Sequence, residues 1–95
     1  MKVVFKKSTN PNKKYMAIFY DDTKKVKTTH FGAAGMSDYT KHRDKARKQR
    51  YLNRHKSNEN WSDYKSAGSL SRYILWNKPT LKESKEDYKR RFRLE

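Results

Sequence analysis

The chain has 95 residues, with 25 Lys and Arg against 10 Asp and Glu, a formal net charge of +15 and no Cys. Disulfides, thiolate metal sites and thiol nucleophiles are therefore excluded, and the length allows one domain (1–95) with a modest core. The charge favours polyanionic partners. A hydrophobic content of 33% leans toward disorder, but 14% aromatic residues bring large rings that bury well. A folded domain with a thin, aromatic-rich core is expected.

Val3–Phe5 is a short β-branched and aromatic run that reads as a first strand, closed by the turn residues Ser8 to Asn12. Lys14–Tyr20 is the best strand pattern in the chain. Tyr15, Ala17 and Phe19 fall on one face, and Met16, Ile18 and Tyr20 fall on the other. Apolar residues on both faces predict a central strand. Asp21, Asp22 and Thr23 supply a hairpin turn, Lys24–Phe31 returns as a third strand, and Gly32 and Gly35 end it. The fold class expected is α+β, with a three-stranded antiparallel sheet (1–35) followed by a basic helix (36–57). An aromatic connector and two shorter helices (58–95) complete it.

The stretch Thr40–Lys56 reads as a single helix capped by Asp38. It holds Lys41, Arg43, Lys45, Arg47, Lys48, Arg50, Arg54 and Lys56 against one acid, Asp44, for a net +7 in seventeen positions. At about 100° per residue, Arg43, Arg47, Arg50 and Arg54 lie within roughly 60° of each other. Like charges so placed repel, and planar guanidinium forks suit phosphate or carboxylate oxygens. A solvated face would normally be laced with Glu–Lys pairs, and this one is not. Ala46 and Gln49 are the expected packing line, helped by aliphatic Lys stems.

Ser57 to Asn60 break the helix, and Trp61 and Tyr64 follow in a polar connector. Leu70, Tyr73, Ile74 and Trp76 make a short helical stripe from about Ser69. Thr80 and Glu83 have capping-box spacing behind Pro79, and Leu81, Tyr88 and Phe92 keep one face of the last helix apolar. Tyr51, Trp61, Tyr64, Trp76 and Phe31 could stack on bases where exposed.

Other chemistry finds little support. His30, His42 and His55 match no metal-ligand spacing, and the acids are too scattered for a Mg²⁺ nuclease. Gly32-Ala33-Ala34-Gly35 lacks the spacing of a phosphate loop. No catalytic residue, metal site or cofactor is expected, and the protein reads as no enzyme. The longest apolar run, Met16–Tyr20, is too short to cross a bilayer, and the first residues are too brief for a signal peptide. A soluble, non-secreted protein with no membrane insertion is expected.

The run from His30 to Thr40, with His42, Asp44, Arg47, Tyr51, Arg54 and His55, forms a linked set of motifs. Asn58-Glu59-Asn60-Trp61, Ala67-Gly68, Ser71-Arg72 and Leu75 to Leu81 extend it. The set resembles a small family of basic proteins of unknown function in large double-stranded DNA viruses of algae and amoebae, over roughly residues 30–84. Met36 stands where that pattern has an aromatic. The resemblance implies a virion or infected host cell as the setting and carries no catalytic or binding residues to transfer.

The functional expectation is a viral nucleic-acid-binding protein, with DNA preferred over RNA. It contacts phosphate through Lys41, Arg43, Lys45, Arg47, Lys48, Arg50, Arg54 and Lys56, with little sequence preference. The alternative is a minor structural protein of the capsid or virion whose basic helix meets acidic surfaces of a coat protein. A ribosome-associated or RNA-binding factor fits the charge equally.

Overall fold

The computed structural model describes all residues, 1–95. Strands β1 (Lys2–Lys7), β2 (Lys13–Asp21) and β3 (Lys24–Ala33) form an antiparallel meander in the order β1-β2-β3. The sheet and the helices that follow give the α+β fold expected from the sequence, and β2 is the central strand. Val3 pairs with Phe19, Phe5 with Ala17 and Tyr15 with Phe31, so these alternate residues gather on one face. Val4, Ile18 and Thr28 align on the other. The β2–β3 turn uses Asp22 at φ 56°, a left-handed conformation that Asp tolerates. Exposed Lys24, Lys25 and Lys27 line the edge strand β3 and guard it against pairing with another chain.

Four helical segments follow: α1 (Tyr39–His42), α2 (Lys45–His55), α3 (Ala67–Leu70) and α4 (Leu81–Arg91). The α3 helix runs on into a π-helical turn, Ser71–Leu75, closed by the Trp76 N–H donating to the Ser71 carbonyl at 3.1 Å. Such wide turns are uncommon and recur at functional sites. Thr80 caps α4 as its spacing predicts: its hydroxyl accepts from the Glu83 N–H at 3.2 Å and pairs with the Glu83 carboxylate at 2.9 Å. With 11 residues, α4 equals α2 in length rather than being shorter.

The core is thin. Sixteen residues are buried, and the main cluster joins Val3, Ala17, Phe19 and Phe31 of the sheet to Leu70, Ile74, Leu75, Tyr88 and Leu94. Aromatic edges fill the gaps, with Phe5 against Tyr88 at 5.8 Å and Phe19 against Tyr64 at 5.9 Å. The Tyr88 hydroxyl donates to the Tyr64 carbonyl, tying α4 to the connector. Val3 N–H donates to the Glu95 carbonyl and Glu95 N–H to the Met1 carbonyl, so the last residue covers the free edge of β1.

The basic stretch departs from the expected single helix. Thr40–Lys56 is interrupted at Arg43, whose φ of 54° ends α1. Asp44 then caps a new helix, accepting from the Ala46 and Arg47 N–H groups at 2.9 and 3.2 Å. The His42 Nδ1 accepts from the Asp44 N–H at 2.9 Å and holds the break. Asp38 caps α1 as expected, but α1 is one turn long.

Candidate nucleic-acid interface

The break re-aims the side chains predicted to act together. On α2, Arg47, Arg50 and Arg54 still fall within about 60° of one another, and all three are exposed. Arg43 leaves the row: it lies before α2, and its Nε donates to the Pro79 carbonyl at 3.1 Å. Lys48, expected among the phosphate contacts, does not face outward either. The Lys48 side chain turns inward, Nζ donates to the Asn77 carbonyl at 2.7 Å and sits 4.9 Å over the Tyr39 ring. Burial, followed by the charges of Arg72, Lys78 and Lys45, depresses its pKa. Lys41, Lys45 and Lys56 are exposed.

The buried face of α2 is not the Ala46–Gln49 line. Both residues are exposed, and the helix packs through buried Tyr51 with half-buried Lys48, Leu52 and His55. These four span about 100° of the helical wheel. The arginine row runs along the Tyr51 side of that face, exposed but next to the rest of the molecule.

No carboxylate neutralises the row. The ion pairs lie elsewhere, at Lys14–Asp38, His55–Glu59, Arg90–Asp87 and Arg91–Asp87. Asp44 is the nearest acid in sequence, but its carboxylate is engaged as the cap. The Arg47 N–H is the main cause of its lowered pKa; slight burial opposes this, while the Ala46 N–H and the charges of Arg50 and His42 assist. Lys45 and Arg47 also sit at the positive end of the helix dipole, where cations are disfavoured. The fold therefore carries two unfavourable placements of positive charge in one turn.

Beside the row, aromatic rings stack in a column. Tyr51 lies flat on Trp76, with centroids 4.3 Å apart and planes 4° from parallel. His55 stacks on Tyr51 at 4.2 Å. Two rings at that distance cannot share one face of a phenol, so Tyr51 is sandwiched. Sequence spacing places Tyr51 and His55 together at i and i+4, but only the π turn brings Trp76 across to them. Burial, with a smaller contribution from Glu59, pushes the Tyr51 hydroxyl pKa up to about 12, although Arg72, Ser71 and Arg54 pull the other way. His42 also meets Trp76, tilted at 54° with centroids 5.3 Å apart.

Glu59 fixes the outer end of the column. Its carboxylate pairs with the His55 Nδ1 at 3.1 Å and accepts from the Trp61 indole N–H at 3.0 Å. Arg72 lies over Trp61 and Tyr73, at 5.5 and 5.0 Å, with its pKa lowered by burial above all. Of the rings singled out as stacking candidates, Phe31 and Tyr51 are buried, and Trp61, Tyr64 and Trp76 are half-buried. His55, which the sequence offers only as a histidine without metal-ligand spacing, is half-buried and stacks at the end of the column.

A cavity of about 410 Å³ opens alongside, between the ends of β2 and β3, α2 and the π turn. Arg54, His55, Glu59 and Lys13 are among its walls, as are the buried Lys14–Asp38 pair and the rings of Tyr51 and Trp76. The three histidines have different partners: His30 pairs with the Ser8 hydroxyl at 2.7 Å, His42 meets the Trp76 ring and His55 stacks on Tyr51. No group of three or more His, Asp or Glu side chains is placed to hold a metal ion. No helix is long and apolar enough to cross a membrane.

Fold and site together define a small basic α+β domain with a cation-bearing helix laid against an aromatic cavity wall. The chain belongs to a family of unknown function, DUF5754, whose pattern it matches over residues 3–55. That span contains the sheet, the helix break and the whole arginine row. No curated protein and no solved structure matches the chain.

Proposed function

We propose that this protein binds nucleic acid without catalysing a reaction on it, gripping phosphates through Arg47, Arg50 and Arg54. Lys41, Lys45 and Lys56 add exposed charge elsewhere on the basic segment. The observation that carries the reading is the exposed three-arginine row with no carboxylate within ion-pair reach. Guanidinium groups pair with phosphate oxygens in a fork geometry that Lys cannot reproduce. Arg43 and Lys48, tied to backbone carbonyls of the 77–79 segment, serve the fold first.

Contacts to phosphate alone carry little sequence information, so weak sequence preference follows. The resemblance to basic proteins of large double-stranded DNA viruses supports DNA as the partner and a virion or infected cell as the place. A salt titration of binding to random duplex DNA tests the proposal. Three phosphate contacts predict that Arg47→Gln, Arg50→Gln and Arg54→Gln together flatten the log–log salt slope by about 2.7. Equal slopes for the two proteins would remove the row from the interface. A stoichiometric place in emptied shells, without DNA affinity, would favour the shell-protein role.

A further inference from the structure

We propose that the cavity beside α2 receives an unpaired nucleobase, which stacks on the free face of His55 as the fourth ring of the column Trp76–Tyr51–His55. The inference rests on the phosphate-binding reading above and specifies the form of nucleic acid it takes. Tyr51 has both faces covered, by Trp76 at 4.3 Å and by His55 at 4.2 Å. His55 has a ring on one side only, its side chain is 37% exposed, and it forms part of the cavity wall. All three rings line a space of about 410 Å³, and His55, at the end of the column, is the one with no second ring against it. That volume lies in the range of small-ligand sites and suits one base with part of its sugar.

Three further features fit this occupant. The imidazole is held in place, because Glu59 pairs with its Nδ1 and is itself fixed by Trp61. A ring anchored in this way loses little freedom when a base lands on it. Arg54 belongs both to the arginine row and to the cavity wall, and Lys13 faces it from the sheet. A nucleotide whose base enters the cavity therefore finds cations at the rim for its phosphates. Finally, a base inside a duplex has both faces covered by its neighbours. Only a single strand or an extruded base can present a face.

The test uses the full chain and a short single-stranded DNA carrying one 2-aminopurine, beside the duplex of the same sequence. Wild type should quench the 2-aminopurine in the single strand on binding. His55→Ala should bind the single strand about tenfold more weakly and lose the quench, while its duplex affinity and salt slope stay unchanged. His55→Phe should restore stacking. Ala67→Trp, an exposed position on the cavity wall, leaves the column intact and should also abolish the quench by filling the space. Unfolding midpoints for each variant separate loss of site from loss of fold. Duplex binding with an arginine-dependent slope but no quench would overturn the stacking site and leave the phosphate reading standing. Binding to neither form would overturn both.

Discussion

The Lys14 ammonium lies 2.6 Å from the Asp38 carboxylate, with side chains only 9% and 2% exposed. Asp38 also caps α1, accepting from the Thr40 N–H at 3.0 Å and from the Thr40 hydroxyl. One carboxylate thus joins the central strand to the start of the basic segment. Removing one partner of a buried pair strands the other charge. Asp38→Ala is expected to cost about 3 to 5 kcal/mol in urea unfolding. The double variant Lys14→Met with Asp38→Ala should be less destabilised than Asp38→Ala alone. If the double variant is the weaker protein, the stranded ammonium is not the cause.

Gly32 and Gly35 have nearly the same backbone, φ +80° and +81°, but different surroundings. A Cβ at Gly32 would sit 2.7 Å from Leu75 Cδ1, whereas one at Gly35 meets nothing within 4 Å. Gly35→Ala should therefore carry only the left-handed strain, about 1 kcal/mol. Gly32→Ala adds a clash against the core and should cost roughly 3 kcal/mol. Thermal melts of the two variants give the comparison, and equal losses would place the effect in the backbone alone.

Lys45 and Lys48 are close in sequence and separate in role. Lys48 spends its charge on the Asn77 carbonyl and the Tyr39 ring, and Lys45 is exposed. Lys48→Gln is expected to lower stability by about 1 kcal/mol and leave the salt slope of DNA binding nearly unchanged. Lys45→Gln should barely affect stability, within about 0.5 kcal/mol, and weaken binding in low salt. A reversed pattern would mean that Lys48, and not the exposed charge of α2, meets the partner.

Much of this architecture is legible in the residues. The alternation through Lys14–Tyr20 places β2 at the centre because both its faces are apolar, and Thr80 with Glu83 marks the start of α4 by local hydrogen bonding alone. Asp38 reads correctly as a cap for the same reason. The break at Arg43–Asp44 escapes a reading that treats Asp44 as the one acid in a basic helix. An Asp followed by Lys-Ala-Arg is also an N-cap signal, and in the structure the cap prevails. The packing face escapes because Tyr51 and Leu52 look unrelated on a wheel with Ala46. The residues between them, His55 and the Lys48 stem, are polar groups with buried bodies. The ring column depends on a π turn that no spacing rule reveals.

Asp87 gives the fold an acid limit. Burial raises its pKa, but the Asn77 amide and the Arg91 guanidinium, at 2.7 and 3.2 Å, together with the Lys78 charge, bring it below the ordinary 3.8. A carboxyl group with a depressed folded pKa stabilises the fold above its unfolded value. That contribution is lost as pH falls through the folded value, because the unfolded chain then binds the proton more readily. Stability should hold from neutral pH to about 4 and decline below it. Asp87→Asn is expected to lower stability at neutral pH by about 1 kcal/mol and to make the acid decline shallower. Urea midpoints across the acid range read both effects. A variant as steep as wild type would move the acid sensitivity to other carboxylates and leave Asp87 a structural hydrogen-bond acceptor for Asn77, at the segment that also holds Arg43 and Lys48.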